Sequence, residues 1–124
     1  MPFDPKPYAD GIRALNAAER LRIEARARMA VDEATRLARL IAKTDPAVRR
    51  VYLFGSLATG VPRNEDFDID LAIEGGDVFT AMECAETSGF HVDIAQFDRL
   101  PEHIRSRVRD GGRLLFDRSA KSPM

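Results

Sequence analysis

"FGSLATGVPRNEDFDIDLAI", Phe54 to Ile73, decides how this chain is read. An apolar run ends in Gly55 and Ser56. A dozen residues later Asp68 and Asp70 alternate with Phe67, Ile69 and Leu71. Residues two apart on a strand share a face, so both carboxylates aim the same way. Like charges on one face repel. A divalent metal ion is the usual counterweight.

Outward from this stretch, "VRRVYLF" is β-branched and aromatic and predicts a strand from about Arg49 to Phe54. "GSLATG" predicts a short helical turn and "VPRNED" a loop. "FDIDLAIEGG" predicts a strand from about Phe67 to Ile73, and Asp77 to Ser88 a helix. "GFHVDIAQF" predicts a third strand, in which Asp93 lies between Val92 and Ile94. "RLPEHIRSRVRDGG" predicts a helix opened by proline and closed by glycine. "RLLF" is a short last strand, and "DRSAKSPM" a frayed tail.

Upstream, three prolines in the first ten residues predict an irregular lead-in. "NAAE", Asn16 to Glu19, has the form of a capping box. Ile23, Ala27, Ala30, Ala34, Leu37 and Ile41 form one helical stripe that runs to about Lys43, where "TDP" stops it. Arg28, Asp32, Arg36, Arg39 and Lys43 lie opposite and read as a solvated face. The expected fold is α/β, a small mixed β-sheet flanked by helices with a long N-terminal helix. The expected divisions are a helical arm over 1–45, a catalytic domain over 46–118 and a flexible tail over 119–124.

Composition narrows the classes of function. The 124 residues suit one compact domain, and 44% apolar with 31% charged is ordinary for a soluble protein. Net charge is −1, which argues against general electrostatic binding of nucleic acid. The charge is uneven: residues 1–50 carry 11 Lys/Arg against 7 Asp/Glu, and residues 51–124 carry 8 against 13. The single cysteine, Cys84, allows no intramolecular disulfide, and the reducing cytoplasm is the simplest compartment. "MPFDPKPYAD" lacks the basic and apolar regions of a signal peptide. No run approaches the ~18 apolar residues of a membrane span.

If the Asp70 and Asp93 strands are neighbours, all three carboxylates can meet on one face. Close carboxylates do not all stay ionised without a cation. Magnesium takes such hard oxygen ligands and leaves room for substrate phosphates, and two ions can clamp an in-line phosphoryl displacement. Glycine lets backbone amides approach a ligand, and the Ser56 hydroxyl with the first amides of a helical turn can hold phosphate. Asp-x-Asp alone is common on strand surfaces, and Gly-Ser alone is uninformative. Their combination points to a nucleoside-triphosphate site. His91, His103 and Cys84 lack zinc spacing. His91 shares the Asp93 face but reads as a surface or structural histidine, and "RSRVR" at Arg105–Arg109 as a solvated basic face.

"LFGSLATG", "DFDIDLAI" and "HVDIAQFDRLPEHIRSRVRDGGRLLF" resemble the minimal nucleotidyltransferases of the DNA polymerase β superfamily, over about Val48 to Phe116. The resemblance implies transfer of an NMP, AMP in the first instance, from an NTP to an acceptor with release of pyrophosphate. It implies that Gly55 and Ser56 hold the triphosphate, that Asp68 and Asp70 bind two Mg²⁺ ions, and that Asp93 is the third metal carboxylate and engages the acceptor hydroxyl. Where such proteins often carry arginines after Gly-Ser, this chain has Leu57, Ala58 and Thr59, and Phe67 replaces a common serine. Arg63 either replaces a phosphate contact or is an ordinary loop arginine. Some small relatives are antitoxins that adenylylate a tyrosine of a HEPN-domain toxin, and that acceptor class is the expected one here. The alternative is a non-catalytic module that neutralises such a partner by binding. The start of the long helix, with Ile12, Leu15 and Leu21, is expected to project and meet a partner, either a second copy or a HEPN-type protein.

Overall fold

The computed structural model describes residues 5–60, 62 and 64–119, with side chains described from residue 16 onward. Helix α1 (Pro5–Thr44) leads into β1 (Arg50–Phe54), the short α2 (Ser56–Thr59) and β2 (Ile69–Glu74). Then follow α3 (Val78–Ala85), β3 (Val92–Gln96), a 3₁₀ turn over Phe97–Arg99, α4 (Glu102–Gly111) and β4 (Arg113–Asp117). The fold is the expected mixed sheet with helices and a long N-terminal helix. Among the described residues no helix is long and apolar enough to cross a membrane.

The start of α1 corrects the sequence reading. Residues 5–10 are helical rather than an irregular lead-in, and Asn16–Glu19 lies inside the helix instead of opening it. Pro5 and Pro7 fall in the first turn, where backbone N–H groups have no intrahelical acceptor and proline is tolerated. With 40 residues, α1 spans roughly 60 Å. It ends at Thr44; the Asp45 carboxylate then accepts from the Ala47 amide and from the Asp77 amide, which joins the end of α1 to the start of α3.

The strand order is β3-β2-β1-β4, with β1 antiparallel to β2 and β4, and β2 parallel to β3. Alternation divides the side chains between two faces. Ile69, Leu71 and Ile73 of β2 enter the main core with Val51 and Leu53 of β1 and Ala30, Ala34, Leu37 and Ile41 of α1. Burial of each large aliphatic chain contributes roughly 1.5–3 kcal/mol. The other face carries a smaller cluster of Tyr52, Ala72, Phe97 and Val108, in which the Tyr52 and Phe97 rings stack at 5.1 Å. Helix α4 covers only part of this second face.

Several contacts hold the segments that enter β2 and β3. The Arg26 guanidinium of α1 lies over the Phe90 ring at 4.6 Å and within 5.9 Å of the Phe67 ring. Glu33 accepts from Ser88 Oγ at 2.6 Å, and Arg36 donates to Thr87 Oγ1. The loops that present the carboxylates are thus anchored on the long helix.

Candidate active site

The carboxylates follow from the β2–β3 register. Asp70 is the direct partner of Asp93, and parallel partners point to the same side of the sheet. One step back, the Ile69 amide donates to the His91 carbonyl at 2.9 Å, which carries the pairing past the first residue of β2. Asp68 and His91 are therefore brought together just outside the strands. His91 Nδ1 lies 3.1 Å from Asp68 Oδ1 and 4.0 Å from Asp93 Oδ2. One ligand atom from each of Asp68, His91 and Asp93 falls within 4.8 Å of the others, and all three residues are exposed.

Asp70 differs from its neighbours. It is half-buried and turned toward the glycine of the Gly-Ser turn: a Cβ on Gly55 would meet Asp70 Oδ2 at 2.3 Å. Burial, then the charges of Asp93 and Asp68, push its pKa from 3.8 up to about 6, and His91 opposes the rise. Asp70 is the group of the site that is electrostatically strained, and a cation would relieve it.

Gly55 adopts φ 79° and ψ −158°, a conformation essentially restricted to glycine. From it the chain turns into α2. The Ala58 and Thr59 amides donate to the Gly55 carbonyl at 3.1 and 3.3 Å. The earlier amides of the turn, at Ser56 and Leu57, have no intrahelical acceptor. A cleft of about 550 Å³ joins Ser56 and Thr59 to Asp66, Phe67, Asp68 and Asp70. The turn and the carboxylates thus share one open space.

Of the residues singled out in the sequence, Gly55, Ser56, Asp68, Asp70 and Asp93 are brought together. Arg63 lies outside the described residues. Asp68 sits just before β2 rather than within it. His91, read from sequence as a surface or structural histidine, is a surface residue with 71% of its side chain exposed, and it stands between Asp68 and Asp93. Its signal was parity, since it lies two residues before Asp93. Asp66, two before Asp68, also lines the cleft.

A family model described as "Polymerase beta, Nucleotidyltransferase" matches residues 38–121. That is more than half of the chain, and the protein belongs to this family. No curated protein sequence matches it significantly. Solved structures with a similar fold include the following three. A chain of a toxin–antitoxin MntA–HpeT mutant matches with TM-score 0.57 and 19% identity, over 69% of this chain and 74% of that one. A chain of a toxin–antitoxin with AMP-PNP matches with TM-score 0.56 and 20% identity, over 68% and 74%. A chain of a tri-AMPylated Shewanella oneidensis HEPN toxin in complex with MNT antitoxin matches with TM-score 0.50 and 20% identity, over 73% and 72%.

Proposed function

We propose that the protein transfers an NMP, AMP from ATP in the first instance, to a hydroxyl acceptor and releases pyrophosphate. The observation that carries this reading is the in-register pair of Asp70 and Asp93 beside the Gly55 turn, with Asp68 next to them. The donor set suits magnesium: three carboxylates offer hard oxygen ligands, and the raised pKa of Asp70 marks a place where positive charge is missing. Asp68, Asp70 and Asp93 would hold the ions, with His91 at their margin. Two ions there would supply neutralisation of the charge that builds on the transferred phosphoryl group.

The remaining roles fall to the chain itself. Gly55 lets the turn approach the polyphosphate, and Ser56 with the free amides of the turn holds its oxygens. Asp93 accepts the hydrogen bond of the acceptor hydroxyl and stands to receive its proton. The acceptor oxygen bonds to the α-phosphorus, the bond to the bridging oxygen breaks, and pyrophosphate leaves. The acceptor we favour is a tyrosine of a HEPN-type toxin. This is supported by the likeness to chains from toxin–antitoxin complexes, one of them with AMP-PNP and one with an AMPylated HEPN toxin. Leu21 and Met29 of α1 are 66% and 62% exposed, which favours α1 as the contact with such a partner or with a second copy. Ile12 and Leu15 lie outside the described side chains.

The deciding experiment is incubation with Mg²⁺ and α-labelled ATP, with and without a candidate HEPN-type partner protein. Label on that protein, absent without Mg²⁺, is the expected result. Neutralisation of the partner with no label transferred from any of the four NTPs would favour the non-catalytic reading. Saturating Mg-NTP is also expected to raise the melting temperature, since binding at a hundred times Kd adds about 2.7 kcal/mol. A melt unmoved by all four nucleotides would count against a nucleotide site.

A further inference from the structure

A second cavity flanks the Gly55 turn on the side away from Asp68. About 310 Å³ in volume, it lies between the turn and α4, with Phe54, Ile104 and Val108 as its apolar floor and Gly55, Thr59 and Arg107 in its walls. It opens into a shallow groove along Thr59, Ser106, Arg107 and Asp110. Gly55 and Phe54 thus separate two spaces on the same face of the sheet, since Phe54 is the register partner of Asp70.

The charges of these spaces are unbalanced. Asp66, Asp68 and Asp70 line the first, with Asp93 beside them, and the turn from Ser56 to Thr59 has no cationic side chain. A nucleoside triphosphate adds several negative charges. A polyphosphate that runs from the carboxylates across the turn reaches the side where α4 stands. Of the arginines in "RSRVR", Arg105 pairs with Glu102, and Arg109 lies over the Phe97 ring at 5.7 Å. Arg107 is exposed and, among the described residues, belongs to no ion pair; Asp110 shares its groove without pairing with it. Arg28 and Arg113 line a separate cavity that brings its own carboxylates, Glu24 and Asp32.

We propose that Arg107 is a phosphate-binding residue of the nucleotide site, reaching the β- and γ-phosphates from α4 across the Gly55–Thr59 turn. The proposal rests on the nucleotidyltransferase reading above. A guanidinium suits the role because its planar fork matches two phosphate oxygens and stays charged. The sequence reading of "RSRVR" as a solvated face fits the exposure of Arg107 and Arg109, whereas Arg105 is partly buried.

The test is calorimetric titration of the full chain with AMP-PNP and with AMP, each with Mg²⁺, for wild type, Arg107→Gln, Arg107→Lys and Arg109→Gln. Arg107→Gln is expected to weaken AMP-PNP about tenfold or more and to leave AMP within about twofold, because only the β- and γ-phosphates lose a contact. Arg107→Lys should recover part of the loss, and Arg109→Gln should bind as wild type. Melting temperatures should stay together, since Arg107 makes no ion pair among the described residues. Wild-type affinity for AMP-PNP in Arg107→Gln, or equal losses for AMP and AMP-PNP, would overturn the role of Arg107 alone. Failure of wild type to bind AMP-PNP at all would overturn the nucleotide site and this role with it.

Discussion

Asp70→Asn is expected to do two opposite things: abolish nucleotidyl transfer and stabilise the metal-free protein at neutral pH. The second effect follows from linkage. Asp70 has a folded pKa of about 6 against an ordinary 3.8, for reasons of burial first and then of the facing Asp93 and Asp68 charges. Between these values the folded chain binds more protons than the unfolded one, so stability falls as pH rises through that window and stays lower above it. Asparagine resembles the protonated carboxyl in shape and carries no charge. In chelator, the melting temperatures of mutant and wild type should therefore meet below about pH 4 and separate above pH 6. The gap corresponds to roughly 2 kcal/mol, somewhat below the full shift because solvent reaches the site. Transfer should fall by at least about a hundredfold, the scale of losing one group that supports developing charge. Saturating Mg-NTP should then reverse the order of stabilities, since the wild type gains far more from it. A mutant no more stable than wild type at pH 7.5 in chelator would show that Asp70 is not strained by its neighbours.

The strands were legible because the signals were local. Ile69, Leu71 and Ile73 alternate with Asp70 and Ala72, and this period of two assigns one set to the core and the other to the opposite face. That Asp93 would join Asp70 depended on β2 and β3 being neighbours, which parity alone could not establish; the parallel register does. His91 was legible in part: its exposure fits the surface reading, but its closeness to Asp68 was not signalled. An isolated histidine carries no spacing signal, and its place beside Asp68 arises from pairing that continues past the end of β2. The beginning of α1 was misread because prolines are strong breakers in a helix interior yet neutral in a first turn, and only the position of the first turn separates the two cases. The closeness of Gly55 to Asp70 was not legible either. It is a close approach where β1 ends beside the start of β2, and it depends on the register that pairs Phe54 with Asp70.

That contact makes Gly55→Ala the substitution with the broadest expected consequence. Two penalties combine at this position. The first is conformational: φ 79° with ψ −158° is strained for any residue with a Cβ, at about 1–3 kcal/mol. The second is steric: the new methyl would lie 2.3 Å from Asp70 Oδ2, while Asp70 Cβ, at 3.5 Å, is at ordinary distance. The carboxylate can swing away and relieve the overlap. In doing so it leaves Asp93, its register partner, and the site loses its arrangement. Transfer should therefore fall much further than stability, by a hundredfold or so for a melting-point loss equivalent to roughly 2 kcal/mol. A double-mutant cycle with Asp70→Ala separates the two penalties, because that change removes the carboxylate and keeps the Cβ. In the Asp70→Ala background, Gly55→Ala should lose only its conformational share. If its effect on stability is the same in both backgrounds, the overlap with Asp70 plays no part in the folded chain, and the glycine serves the turn alone.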